Sequence, residues 1–114
     1  MEADDRQFLL TTAWLFSIHG QPSRARVLCE ALVEDDPQDG VAAIALADLL
    51  LDEGDAKGAL KALTQTRCPK GLERAEALLE TKALALAGRK DDAARRWKRY
   101  VAASKGSGRA WVKA

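Results

Sequence analysis

The stretch HGQPSRA, residues 19–25, contains a glycine and, five residues later, an alanine, in a break between two apolar segments. The same skeleton returns in EGDAKGA, residues 53–59, and in AGRKDDA, residues 87–93. The glycines are Gly20, Gly54 and Gly88, and the alanines are Ala25, Ala59 and Ala93. Both series step by 34 residues without insertion or deletion, which predicts three copies of one local unit with a turn at its centre.

Apolar residues on both sides of each turn recur at helical spacing and predict six helices. In the first segment these residues are Phe8, Leu9, Thr12, Leu15 and Phe16. The helices are expected over about 6–18, 22–35, 41–52, 59–63, 72–87 and 90–103, and Asp4 or Asp5 is expected to cap the first of them. The fourth helix should be short, because Pro69 arrives two residues before the position that the repeat assigns to a proline.

A helix–turn–helix unit of 34 residues is the period of the tetratricopeptide repeat. Its glycine lets the chain enter a left-handed turn between antiparallel helices, and its alanine lets the two helices approach closely. We therefore predict an all-α fold in which three tetratricopeptide-like repeats form a short right-handed superhelix with a concave groove. The array is expected within residues 1–104, as units of about 6–37, 40–71 and 72–104, followed by a flexible tail over 105–114. An unrelated helical bundle is the alternative.

Composition argues against chemistry at a metal, cofactor or catalytic centre. The chain has two well-separated cysteines and a single histidine, so a metal or redox site has almost no ligands, and both cysteines are expected to be reduced apolar residues. No Ser/His/Asp or Cys/His arrangement and no glycine-rich phosphate loop is recognisable, which predicts a non-enzyme without catalytic residues, cofactor or small-molecule substrate. The acidic start lacks the layout of a secretory signal, and no apolar run could span a bilayer, so a cytoplasmic location is expected.

The first helix of each pair carries apolar residues that the core does not need. On the predicted register, the following side chains face the concave groove: Leu10, Trp14, Ile18, Ile44, Leu51, Leu78 and Leu86. Contiguous exposed apolar area on a soluble protein typically marks a binding site, so we predict that the groove takes a helical segment of a partner protein. Self-association could cover the same strip, and the alternative is that some of these residues are core. Lys82 faces the groove beside Asp48 and Asp52, which argues against a clamp for a terminal carboxylate.

Charge is distributed unevenly along the chain. Residues 1–84 carry nine basic and fifteen acidic side chains, whereas residues 85–114 carry nine basic and two acidic ones. In the cluster RRWKRY, residues 95–100, the two aromatic residues are expected to face inward and the charges outward. Arg95, Arg96 and Arg99 could form a solvated face, bind an acidic partner or bind nucleic acid. The apolar and acidic groove argues against nucleic acid.

The string FLLTTAWLFSIHGQPSRARVLCEALVEDDP, residues 8–37, resembles the opening of the small type III secretion chaperones of the YscY (SctY) family. The shared features are an FLL start, a tryptophan in the first helix, a glycine turn, and an alanine–leucine helix that ends at a proline. The resemblance implies a cytoplasmic bacterial protein that holds a small exported partner of the YscX (SctX) type in a heterodimer and brings it to the export gate. It also implies partner contacts at Leu10, Trp14 and Ile18. Needle-subunit chaperones of the YscG type, a generic scaffold and an RNA-associated repeat protein are the alternatives.

Overall fold

The computed structural model describes residues 1–105, which form six α-helices and no β-strand. The helices are α1 (Ala3–Ile18), α2 (Pro22–Asp35), α3 (Gly40–Asp52), α4 (Ala56–Thr64), α5 (Glu73–Leu86) and α6 (Lys90–Lys105). Each odd-numbered helix packs against the helix that follows it, and the three pairs contact one another through α2 and α3, through α4 and α5, and through α3 and α5. The predicted all-α class and the order of three helix pairs are confirmed.

The three turns within the pairs have the same backbone geometry. Gly20, Gly54 and Gly88 have φ angles of 75°, 81° and 82°, in the left-handed region that glycine enters without steric cost. After each glycine, the next backbone N–H donates to the carbonyl five residues earlier, at 2.8 Å in all three turns. This is the hydrogen bond of a Schellman motif, which satisfies a carbonyl at the end of the helix. The predicted role of the glycines is confirmed.

The alanines that follow the turns lie where the paired helices touch. Ala25 and Ala59 are fully buried and Ala93 is nearly so. The core is built largely from such small residues together with leucines, so the helices lie close to each other. The buried cluster comprises Ala13, Ala25, Cys29, Leu46, Ala47, Leu49, Ala59, Ala62, Leu63, Leu79 and Ala83. Cys29 is a free thiol within this cluster, as expected of a small apolar residue.

The short fourth helix is explained by the loop that follows it. α4 has nine residues and ends at Thr64, after which the chain turns back over the start of α3. A Cβ atom on Gly40 would lie 2.6 Å from Cδ of Pro69 and 2.7 Å from the carbonyl oxygen of Arg67. Glycine at position 40 therefore allows the loop to pack directly on the backbone of α3.

The largest differences from the predicted helix ends are at the starts of α1 and α4 and at the end of α6, and α4 begins at Ala56 instead of about residue 59. α1 begins at Ala3, so Asp4 and Asp5 lie in its first turn rather than at its N-cap, and the N-cap expectation is wrong. Carboxylates in the first turn still interact favourably with the helix dipole. α6 continues to Lys105, the first residue of the expected tail, and residues 106–114 lie outside the described part of the chain.

Candidate partner-binding groove

An ion pair fixes the position of α1 relative to α3. Nε and Nη2 of Arg6 donate to the two carboxylate oxygens of Asp39 at 2.5 and 2.8 Å. Asp39 is the N-cap of α3 and also accepts a hydrogen bond from the backbone N–H of Ala42 at 3.2 Å. The hydrogen bonds from Arg6 lower the pKa of Asp39 although burial acts in the opposite direction. The first helices of units one and two are therefore held together at their N-terminal ends.

Two cavities open between α1 and α3 and meet at the same side chains. The smaller has a volume of about 140 Å³ and is lined by Leu10, Ala13, Trp14, Ser17, Cys29, Ala45, Asp48 and Leu49. The larger has a volume of about 440 Å³ and is lined by Arg6, Gln7, Leu10, Thr11, Trp14 and Val41. Leu10 and Trp14 line both, so they form the centre of a mainly apolar depression, which we call the α1–α3 groove.

The predicted groove residues fall into two groups. Trp14, Ile18 and Leu86 are 59%, 55% and 54% exposed, and Leu78 is 36% exposed. Leu10, Ile44 and Leu51 are half-buried, and the last two pack against the core cluster. Of the seven, only Leu10 and Trp14 line the α1–α3 groove.

Several groove residues were not expected from the sequence. Ala13, Cys29 and Leu49 contribute to the floor, because the groove reaches down to the core between the helices.

Phe8 and Leu15 belong to the predicted apolar stripe of α1 but are exposed. Their counterparts one repeat later, Ala42 and Leu49, are buried. The same two repeat positions are therefore exposed in the first unit and buried in the second.

One carboxylate, that of Asp48, lines the mainly apolar α1–α3 groove. Burial, and then the neighbouring charge of Asp52, raise the pKa of Asp48, while Lys82 acts in the opposite direction. With Asp48, Asp52 and Lys82 together the local charge is negative, which is unfavourable for an anionic ligand and favourable for a basic one.

The expected outward orientation of Arg96 is wrong. Its side chain is only 11% exposed, and its guanidinium bonds Glu80 at 2.6 Å and Glu76 at 3.3 Å. These two glutamates are one helical turn apart on α5 and face α6, so the ion pairs join the two helices of the third unit. Arg95 and Arg99 are largely exposed, as expected. Trp97 and Tyr100 are half-buried, with ring centroids 5.2 Å apart.

The described residues form neither a metal-binding cluster nor a membrane-spanning helix. Within residues 1–105, no three or more His, Cys, Asp or Glu side chains are grouped so that they could hold a metal ion. None of the six helices has both the length and the apolar composition needed to cross a membrane.

The comparisons with known proteins agree with the helical array. A family model described as a tetratricopeptide repeat matches residues 18–67, from the end of α1 to the loop after α4. A comparison with curated proteins finds no match. Repeats of this kind are typically protein-interaction modules and not catalytic ones. The chain is thus all-helical in its described part, and its helix–turn–helix pairs are consistent with repeats of the tetratricopeptide kind, to which residues 18–67 are similar.

Proposed function

We propose that this tetratricopeptide-repeat protein binds a segment of another protein in the α1–α3 groove. The observation that carries the proposal is Trp14, a large aromatic residue that is 59% exposed at the meeting point of two cavities. Aromatic side chains in such positions commonly supply much of the free energy of a protein interface. Burying Trp14 and Leu10 against an apolar partner would also remove their surface from water.

The chemistry of the groove favours an amphipathic helix as the bound segment. Ile18 extends the apolar surface beyond Trp14 towards the C-terminal end of α1, so from Leu10 to Ile18 the surface follows the helix for about two turns. A partner helix presents apolar side chains at i, i+3, i+4 and i+7 to such a surface. The carboxylate of Asp48, which lines the groove, suits a basic side chain on that partner.

More specifically, we propose a cytoplasmic bacterial chaperone that holds a small exported type III secretion component of the YscX (SctX) kind and delivers it to the export gate. The support for this role is the likeness of residues 8–37 to the opening of the YscY family. Leu10 and Trp14, two of the residues to which the resemblance assigns partner contacts, also line both cavities. A needle-subunit chaperone of the YscG type or a generic scaffold would use the same groove, and the proposed activity is binding rather than catalysis.

The partner's identity distinguishes these roles. Affinity-tagged wild-type protein and a Leu10→Asp variant would be expressed in the source cells, and co-purifying proteins would be identified by mass spectrometry. Lys57→Asp, at an exposed position of α4 outside the groove, serves as the control. We expect one small exported protein to accompany the wild type and the control but not Leu10→Asp. A needle subunit would favour the YscG role, and a non-exported protein would favour the scaffold. Equal recovery with all three proteins would contradict binding in the groove.

A further inference from the structure

A second cleft, separate from the α1–α3 groove, lies between α4 and α6. Its volume is about 530 Å³, and its apolar wall is formed by Leu60 of α4 and Leu84 of α5, beside Thr64. The remaining lining residues are charged: Glu80, Arg89, Asp92, Arg95, Arg96 and Arg99. None of the cleft's residues lines the α1–α3 groove, so the two surfaces can be tested independently.

The arginines of this cleft outnumber the carboxylates that neutralise them. Asp92 is shared by Arg89, at 2.9 Å, and by Arg95. Glu80 is shared by Arg96, at 2.6 Å, and by Arg99, at 3.8 Å. Arg96 also bonds Glu76, at 3.3 Å, so three carboxylates serve four guanidinium groups, which leaves the cluster with an excess of one positive charge. Five of the six charged lining residues come after residue 84, whereas residues 1–84 carry an excess of six negative charges.

Three of these arginines retain capacity for a ligand. Only Arg96 is largely buried, and Glu76 and Glu80 hold it in place. Arg95 and Arg99 are one turn apart on α6, so their side chains lie on the same face of the helix. Each guanidinium has five N–H donors, and a carboxylate can accept two of them side by side. The exposed donors of Arg95 and Arg99 therefore remain available next to an apolar wall.

We propose that this cleft is a second binding site, which takes a carboxylate-rich polypeptide segment. Acidic side chains of the segment pair with Arg95, Arg99 and Arg89, while its aliphatic atoms contact Leu60 and Leu84. A single-stranded nucleic acid fits less well, because the described lining has no aromatic side chain on which bases could stack. The site thus selects the opposite charge from the α1–α3 groove, and one partner with an amphipathic helix and an acidic segment could engage both.

A titration with a fluorescein-labelled oligoglutamate peptide tests the site in the full chain. Binding would be followed by fluorescence anisotropy at low salt, for the wild type and for the double variant Arg95→Gln, Arg99→Gln. The matched control is Lys90→Gln, Lys98→Gln, which removes the same charge from exposed positions of the same helix outside the cleft lining. We expect about a tenfold loss of affinity and a weaker salt dependence for the arginine variant, and at most about a twofold loss for the control.

The competing explanations give different results in the same experiment. Equal losses in the two double variants, with unchanged circular dichroism, would mean a general charge effect and would overturn the proposal. Absence of oligoglutamate binding to the wild type at low salt would do the same. A single-stranded RNA oligonucleotide that binds more tightly than the oligoglutamate peptide would assign the cleft to phosphates and reject the acidic-polypeptide site. Full displacement of the peptide by inorganic phosphate at matched charge would lead to the same conclusion.

Discussion

Replacing Arg6 by methionine removes the guanidinium that joins α1 to the beginning of α3. In the native protein both carboxylate oxygens of Asp39 accept hydrogen bonds from this group. The Asp39 side chain is only 6% exposed. After the substitution, its charge would retain only backbone donors, including the N–H of Ala42. We expect a folded but destabilised protein.

The expected loss in the free energy of unfolding is about 2 kcal/mol. Removing one partner of a fully buried ion pair costs about 3–5 kcal/mol, whereas an exposed pair contributes about 0.2–1 kcal/mol. The Arg6 side chain is 35% exposed while Asp39 is buried, so this pair lies between the two limits. For a chain of 114 residues, a loss of about 2 kcal/mol lowers the melting temperature by about 8 °C.

Urea unfolding followed by far-ultraviolet circular dichroism would measure the effect. Arg74→Met is the matched control, because Arg74 stands two repeat periods after Arg6, is exposed, and makes no ion pair within the described residues. Its substitution should change the free energy of unfolding by no more than about 0.5 kcal/mol.

Acidification provides a second readout of the same ion pair. The pKa of Asp39 is lowered from 3.8 in the folded protein, so its contribution to stability is fully present well above pH 3.8 and is lost as the pH falls through the lower folded value. The difference in stability between wild type and Arg6→Met should therefore narrow in acid. A loss no larger than that of Arg74→Met, or a difference that stays constant in acid, would refute the reasoning.

Three further variants and one labelling experiment test the packing. Gly54→Val forces a β-branched residue to a φ of 81° and should lower the free energy of unfolding by about 1–2 kcal/mol. Ala59→Trp overpacks a fully buried helix contact and should lower it by about 1–3 kcal/mol or more. Unchanged melting temperatures of both variants would contradict the repeat register. Thr81→Ala should leave the melting temperature unchanged or raise it, because its buried hydroxyl has no hydrogen-bond partner in the described structure. Burial raises the pKa of Cys29 to about 11, which lowers the fraction of reactive thiolate. In a Cys68→Ser variant at about pH 8, the Cys29 thiol should therefore react with a disulfide reagent at least about a hundredfold more slowly in the folded protein than after unfolding. Comparable rates in the two states would show that Cys29 is not buried.

The repeated fold could be predicted from the sequence because its requirements are local. A left-handed turn at Gly54 and a close helix contact at Ala59 each restrict the residue type, and the spacing repeats both restrictions three times. Helix ends were less predictable. Asp4 and Asp5 are acceptable at an N-cap and in a first turn, so their residue types do not distinguish the two positions.

The groove was only partly predictable because exposure depends on neighbouring helices. Trp14 lies on the first unit and is exposed, as expected from the repeat register that places it towards the groove. Ile44 and Leu51 occupy the middle unit, where adjacent helices cover much of their surface. The inward position of Arg96 depends on ion pairs between α5 and α6. In the sequence, the spacing of Glu76 and Glu80 by one helical turn could have indicated a basic partner for both, but it does not say which arginine that is.

A calorimetric titration of the purified partner into three proteins tests most directly whether the α1–α3 groove binds it. The proteins are the wild type, Trp14→Glu, and Val27→Glu, in which the same charge replaces an apolar side chain that is 60% exposed on α2 and lines neither cavity. Loss of an aromatic anchor costs 2 kcal/mol or more, so Trp14→Glu should weaken binding at least about thirtyfold with its circular dichroism unchanged. Val27→Glu should bind within about threefold of the wild type. Binding of Trp14→Glu as tight as that of the wild type, or an equal loss with Val27→Glu, would contradict recognition in the groove.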